Sequence, residues 1–436
     1  MAQTTFRDET IPADEVRESP WKAAGAAGVG SVIEYYDFQL YAILAVVLSP
    51  IFFPGEDPTA ALLSTLAIFA GAFLVRPLGG IFFGWLGDRH GRTTALMVTI
   101  VGMGLASAIM GLLPTYAAIG AMAPILLLIL RLAQGFFAGG EVTGAATYIA
   151  ECSPKDRRGF FGAFTPASAT LGLTLATAVA GLVGTMLDSQ QMAAWGWRIP
   201  FLLSVPLILL CFWARRHIED SPVFQRIQRE NKVTKAPLRE VVGGHLPSLL
   251  KVIGLGFAQN AAGYVCVVYM NIHLTRVLGY DASHVYWLLS AVTLTAVIFM
   301  PFAGSLSDRF GRRPMLKLAL WGYIVLVPAA MYLASFGNFS IAALAVVLSI
   351  PPFIVMQSVG YPLYAELFPT SVRYSGVSLG FNLATILGGA TAPYIATWLV
   401  QQTGSSMSPA WYVVAVAAIG LATLATVHET ANKPLS

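Results

Sequence analysis

Gly84-Trp85-Leu86-Gly87-Asp88-Arg89-His90-Gly91-Arg92 returns 220 residues later as Gly304-Ser305-Leu306-Ser307-Asp308-Arg309-Phe310-Gly311-Arg312. Two further markers recur in the same order. Glu151-x-x-Pro154-x-x-Arg157 is matched loosely by Glu366-x-x-Pro369-x-x-x-Arg373, and Glu219 by Glu429. Ordered markers at nearly one offset of half the chain mean two units of the same build, joined in the middle.

The solvent of those units follows from composition. Of 436 residues, 56% are hydrophobic and only 11% charged, with a mean hydropathy of +0.69; soluble domains carry roughly 25% charged residues. So few charges cannot cover a water-soluble surface of this size. A soluble enzyme, a disordered chain and a nucleic-acid binder are excluded, and lipid must be the solvent for most of the chain. Cys152, Cys211 and Cys266 are far apart, which fits neither a disulfide framework nor a zinc site. The polar, acid-rich start, residues 1–22, lacks the basic and apolar regions of a signal peptide and reads as a retained tail.

A membrane-spanning helix needs about 20 largely apolar residues, and twelve such stretches are legible, near 24–48, 61–86, 93–113, 121–150, 159–187, 198–214, 247–273, 284–306, 314–335, 340–366, 371–400 and 410–427. Of the 26 Lys and Arg residues, 22 fall in alternate connections, while the opposite connections hold Arg198 and Arg276 alone; Arg76 and Arg131 lie inside spans. By the positive-inside rule both termini and the 215–246 connection are cytoplasmic. The expected fold is all-α and integral to the membrane: twelve transmembrane helices in two six-helix pseudo-repeat bundles. Its parts are an N-tail at 1–22, bundles at 23–214 and 247–427, a linker at 215–246 and a C-tail at 428–436. Parallel halves of this kind build transporters whose substrate site lies between them near the bilayer midplane.

The G-x-L-x-D-R-x-G-R segments, with Arg131-Leu132-Ala133-Gln134-Gly135, resemble the signature motifs of the major facilitator superfamily. Within it, Glu34-Tyr35-Tyr36-Asp37-Phe38, Arg76-Pro77-Leu78-Gly79-Gly80, Gly139-Gly140-Glu141, Trp195-Gly196-Trp197-Arg198-Ile199-Pro200-Phe201 and His428-Glu429-Thr430-Ala431-Asn432-Lys433-Pro434-Leu435 resemble the metabolite:proton symporters. The resemblance implies the major facilitator fold, no cofactor or metal, and a cargo drawn from proline and betaine, α-ketoglutarate, citrate or shikimate. Tyr35 stands where Trp or Phe is frequent in that family, and Val142 where an aromatic residue is. The chain ends at Ser436 without the coiled-coil extension of some osmosensing members, so osmotic activation through such a coil is not expected.

Independently of the family, only Glu34, Asp37 and Glu141 among the acids lie well inside the spans. Ionisable groups in hydrocarbon are costly and mark function by default. Glu34 and Asp37, three residues apart, share a helical face. If Arg76 and Arg131 each neutralise one acid, one carboxylate is left to load and release a proton. The competing reading is a static network of all five. A guanidinium such as Arg131 also grips a carboxylate in two-pronged fashion, which directs the expectation to an anionic substrate. The second half offers Asn260, Tyr264, Gln357, Tyr361 and Asn382 for neutral polar contacts, or for hydrogen bonds between helices. With Tyr35, Tyr41, Arg131 and Gln134 they complete the candidate substrate site. The Tyr35, Tyr36, Phe38 and Tyr41 rings pack together or cage a quaternary ammonium. Asp88, Arg89 and Arg92, with Asp308, Arg309 and Arg312, are the candidate conformational latch.

The expectation is therefore a non-enzymatic secondary transporter: proton symport of a small polar metabolite, a carboxylate first, by alternating access in the cell membrane. The alternatives are a zwitterionic osmolyte such as proline or betaine, and a uniporter or exporter of the same fold. Its partners are substrate, protons and lipid, not nucleic acid.

Overall fold

The computed structural model describes residues 20–55, 57–90, 92–140, 142–215, 237–369, 372–433 and 435. Every regular element among them is helical. Glu141, most of the 215–246 connection, the 1–19 tail and the side chains of Asp88 and Arg92 lie outside the described residues.

Nine described helices are long and apolar enough to cross a bilayer, a tenth is a bent pair, and Met97–Leu112 and Met122–Phe137 are shorter apolar helices. In chain order the spans are α1 (Pro20–Ile43, continued by Ala45–Phe52), α2 (Pro58–His90), α3 (Arg92–Leu112) and α4 (Met122–Phe137, followed by Val142–Cys152). Next come α5 (Arg158–Met186), α6 (Ser189–Leu210), α7 (Leu246–Val277) and α8 (Ala282–Phe310). The last four are α9 (Arg312–Ala334), α10 (Phe339–Glu366), α11 (Arg373–Thr403) and α12 (Ser408–Ala425). α6 begins about two and a half turns of helix earlier than the expected span, because Asp188 and Gln191 form a reciprocal capping box that starts it. The Trp195-Gly196 pair then sits in a π-helical turn.

The molecule is apolar on the outside as well as within. Leu74, Leu78 and Ile81 on α2 are each at least 60% exposed, at the spacing of one helical face. Such a stripe is stable only against lipid acyl chains. Since lipid is as apolar as Leu, helices associate through close packing of small residues. Gly135 on α4 lies flat on the Ala72 carbonyl of α2, and Gly139 on that of Arg76, where a Cβ would collide with main chain.

α1 bends by 60° at Leu44. Pro50 has no N–H for the Val46 carbonyl, which instead accepts from the Ser49 hydroxyl at 3.2 Å. At the bend Val47 N–H turns to the Leu44 carbonyl, so the Ile43 carbonyl loses its helical donor.

Helices α1, α2, α4 and α5 of the first half meet α7, α8, α10 and α11 of the second. Trp21 packs edge-on against Phe160, Phe161 and Phe164, and the Lys433 carbonyl accepts from Arg158. Both described ends of the chain thus lie at one end of the molecule, called here the terminal end.

Candidate functional site

A cavity of about 50 Å³, room for a few water molecules, lies between the two halves. Tyr35 and Gln39 reach it from α1, Pro166 and Thr170 from α5, Asn260 and Tyr264 from α7, and Phe353, Gln357 and Tyr361 from α10. No charged side chain lines it among the described residues. The Gln39 amide donates to the Tyr264 hydroxyl at 3.2 Å, tying α1 to α7. Gln357 accepts from Gln259 at 2.7 Å, and Gln259 in turn accepts from Tyr364. Asn260 donates to Gly256 one turn back. Tyr35 and Tyr361 face the cavity from opposite halves. The π-helical turn Val265–Tyr269 follows Tyr264 directly, a distortion often found at functional sites.

The acids of α1 lie deeper in the first half. Glu34 accepts from Arg76 at 2.5 Å in a buried ion pair. Asp37 shares its face, and both line a small pocket with Thr99, Ile100, Met103 and Phe137. Asp37 takes a hydrogen bond from the hydroxyl of Ser204 and has Ser107 close by, and no arginine is within ion-pair distance of it among the described residues. Ser107 accepts from Gln134 at 2.6 Å, and Gln134 accepts from Arg131 at 2.8 Å. Neutral groups thus lead from Arg131 through Gln134 to Ser107, beside Asp37. Arg131 is fully buried, its guanidinium 4.4 Å from the Tyr41 ring centre and 4.6 Å from that of Phe38.

Both ends of the interface are bridged. At the terminal end Asp308 accepts the backbone N–H groups of Gly159 and Phe160, at the start of α5, at 2.7 and 2.9 Å. Arg158 pairs with Glu366 at 3.1 Å, Arg373 with Glu151 at 3.0 Å, and Arg312 with both Asp308 and Glu366. At the opposite end Asn271 on α7 donates to the Ile43 carbonyl at 2.9 Å, and Thr174 on α5 to Thr293 on α8 at 2.9 Å.

Of the residues expected at the substrate site, the structure brings Tyr35, Asn260, Tyr264, Gln357 and Tyr361 to the cavity. Four are elsewhere. Arg131 and Gln134 belong to the buried relay, Tyr41 donates to the Thr65 carbonyl, and Asn382 turns back on Ser378. Of the expected latch, Asp308 bridges the halves and Arg312 pairs with it from within the second half, whereas Arg309 is exposed and lies over Phe310, and Arg89 over Trp85. Sequence reasoning missed Gln39 and Thr170. The four-residue spacing from Tyr35 to Gln39 was a usable signal; Thr170 carries none. It also missed Arg158, Glu366, Glu151 and Arg373 as bridging pairs, although one repeat marker holds three of them in its two copies.

The family model described as sugar (and other) transporter matches residues 23–248 and 226–436. The chain is 38% identical over 426 residues to the glycine betaine/proline/ectoine/pipecolic acid transporter of Dickeya dadantii, covering 95% of this chain and 84% of that one. It is 38% identical over 445 residues to the proline/betaine transporter of Escherichia coli K12, covering 99% and 87%. Its fold resembles the solved proton:xylose symporter of the major facilitator superfamily, bound to 6-bromo-6-deoxy-D-glucose, with a TM-score of 0.76 at 19% identity, over 95% of this chain and 97% of that one.

Proposed function

The chain belongs to the sugar (and other) transporter family, and from that premise we propose that it carries a zwitterionic osmolyte, of the proline or betaine kind, together with a proton. It is a multi-pass membrane transporter and not an enzyme.

The observation that carries the substrate reading is the uncharged cavity. A carboxylate metabolite with net negative charge would be desolvated there with no counter-charge, at a cost of several kcal/mol. A zwitterion brings its own. Its ammonium group fits the faces of Tyr35, Tyr264, Tyr361 and Phe353, and its carboxylate takes the tyrosine hydroxyls and the amide N–H of Gln357. The expectation of an anionic cargo rested on Arg131, which does not line the cavity and instead donates to Gln134 beneath the Tyr41 and Phe38 rings. The names of the relatives in Dickeya dadantii and Escherichia coli favour the same substrate class.

For the proton, Asp37 is the best-supported carrier. Glu34 is matched by Arg76, while Asp37, among the described residues, has the Ser204 hydroxyl beside it and no ion-pair partner, with Ser107, Gln134 and Arg131 behind. Protonating Asp37 removes a charge that Arg131 senses through Gln134 and Ser107. Alternating access follows from parting one bridged end at a time: the Asp308, Glu366 and Arg158 cluster at the terminal end, or the Asn271–Ile43 contact at the other. The concentration of Lys and Arg in the connections at the terminal end supports placing that end in the cytoplasm, with the protein in the cell membrane.

The test is uptake into proteoliposomes with an imposed pH gradient. Labelled proline or glycine betaine should accumulate and acidify the lumen, and citrate, α-ketoglutarate and shikimate should not. Accumulation of the carboxylates alone would overturn the reading.

A further inference from the structure

We propose that Gln39 is a specificity-determining residue that accepts a hydrogen bond from the ammonium N–H of the substrate, so that the carrier favours zwitterions bearing an N–H over fully N-methylated ones. The inference rests on the zwitterion reading above and deepens it.

Gln39 lines the cavity yet is almost wholly buried. Its amide nitrogen faces the Tyr264 hydroxyl at 3.2 Å, and the carbonyl is the end left. The remaining Oε1 is buried and has no hydrogen-bond partner among the described residues. Buried polar atoms are almost always partnered, and an orphan calls for a ligand or a role. A carbonyl oxygen can only accept, so the group it awaits is a donor. In a zwitterion with no other polar atoms the sole donor is the ammonium N–H. Proline has two such hydrogens and a quaternary betaine has none. The quaternary group still fits the aromatic walls, but it leaves Oε1 orphaned, and a site built to hydrogen-bond a donor discriminates against an analogue that lacks it.

Affinities of L-proline, N-methyl-L-proline and N,N-dimethyl-L-proline, measured on the purified full chain, test this. The three share a ring and a carboxylate and carry two, one and no N–H. The parent should bind proline about tenfold or more tighter than the dimethyl compound, as expected for a lost bond to a charged donor. Gln39→Met, which keeps length but accepts poorly, should bring the ratio close to one. Gln39→Glu, which keeps acceptor oxygens, should retain the preference. Ratios within one preparation are insensitive to any partly misfolded fraction. Equal binding of all three by the parent overturns the proposal. So does a preference that survives in Gln39→Met, since that would be steric, or a uniform weakening of all three by Gln39→Met, since that would mean Gln39 holds the carboxylate. A parent that binds none of the three but transports an anionic carboxylate overturns the zwitterion reading itself, and this inference with it.

Discussion

Asn271 on α7 donates its side-chain amide to the main-chain carbonyl of Ile43 on α1, at 2.9 Å, across the interface between the two halves. The acceptor exists because α1 breaks at Leu44, freeing a carbonyl that an unbroken helix would have used. Tyr286 reaches the same oxygen at 3.5 Å. A helix bend in one half is thereby a lock for the other. Asn271→Ala should leave the carbonyl short of its main donor whenever that end is closed, at about 1–3 kcal/mol. The closed state should be disfavoured about tenfold. Labelling of single cysteines placed along α7 should increase from the end opposite the termini. Unchanged labelling would mean that the bond carries none of the closure.

At the terminal end the expected change has the opposite sense. Asp308→Asn removes the charge that accepts the Gly159 and Phe160 N–H groups and faces Arg312. Charge-assisted bonds at a helix start are the stronger kind. Transport should fall and labelling from the terminal end should rise, with substrate affinity within a few fold of the parent because Asp308 is not at the cavity. A large loss of affinity with unchanged labelling would refute the latch.

Coupling separates the two acids of α1. Asp37→Asn should abolish uphill accumulation while leaving exchange of labelled for unlabelled substrate intact. One charge moving through 100 mV is worth about 2.3 kcal/mol, so the parent can accumulate roughly 50-fold and the variant should only equilibrate. Glu34→Gln should instead behave as a stability defect, since it leaves Arg76 buried without its ion-pair partner. Full accumulation by Asp37→Asn would exclude it as the proton carrier.

Arg131→Lys should bind substrate as the parent does and fail to couple, because Lys cannot both reach Gln134 and lie over the Tyr41 and Phe38 rings as the guanidinium does. Equilibrium binding at fixed pH decides this. Weakened binding with intact coupling would return Arg131 to the substrate site.

The C-terminal segment supplies a pH-dependent clamp. Burial raises the Glu429 carboxyl, but the N–H groups of Ala431, Arg312, Arg313 and Thr430 outweigh it and hold the group below its ordinary range. A depressed carboxyl stabilises the fold above its ordinary value near 4.3, and the contribution is lost as pH falls through the lowered value. Glu429→Ala should cost about 1 kcal/mol at pH 7, as for a lost cap of α9. The difference from the parent in thermal unfolding should shrink as pH drops below about 4. A difference independent of pH would assign the effect to packing.

The amino-acid sequence by itself determined the twelve spans, the doubling of the chain and the shared face of Glu34 and Asp37. Each follows from short-range rules: lipid forces backbone groups into helices, and helical periodicity then sets which residues three apart coincide. Composition also sufficed to single out the buried acids and arginines. Which arginine meets which acid was decided only by tertiary structure. Arg76 reaches Glu34 because α2 packs against α4 through Gly135 and Gly139 and presents its arginine beside α1, whereas Arg131, on α4, is met by Gln134 and aromatic rings. The bridges of Arg158 to Glu366 and Arg373 to Glu151 join residues more than 200 apart in the chain, beyond any periodicity. So does the bond from Gln39 to Tyr264, which leaves one carbonyl oxygen of the cavity unpartnered. Pairing of this kind depends on how two independently folded surfaces meet, and no local pattern in either one encodes it.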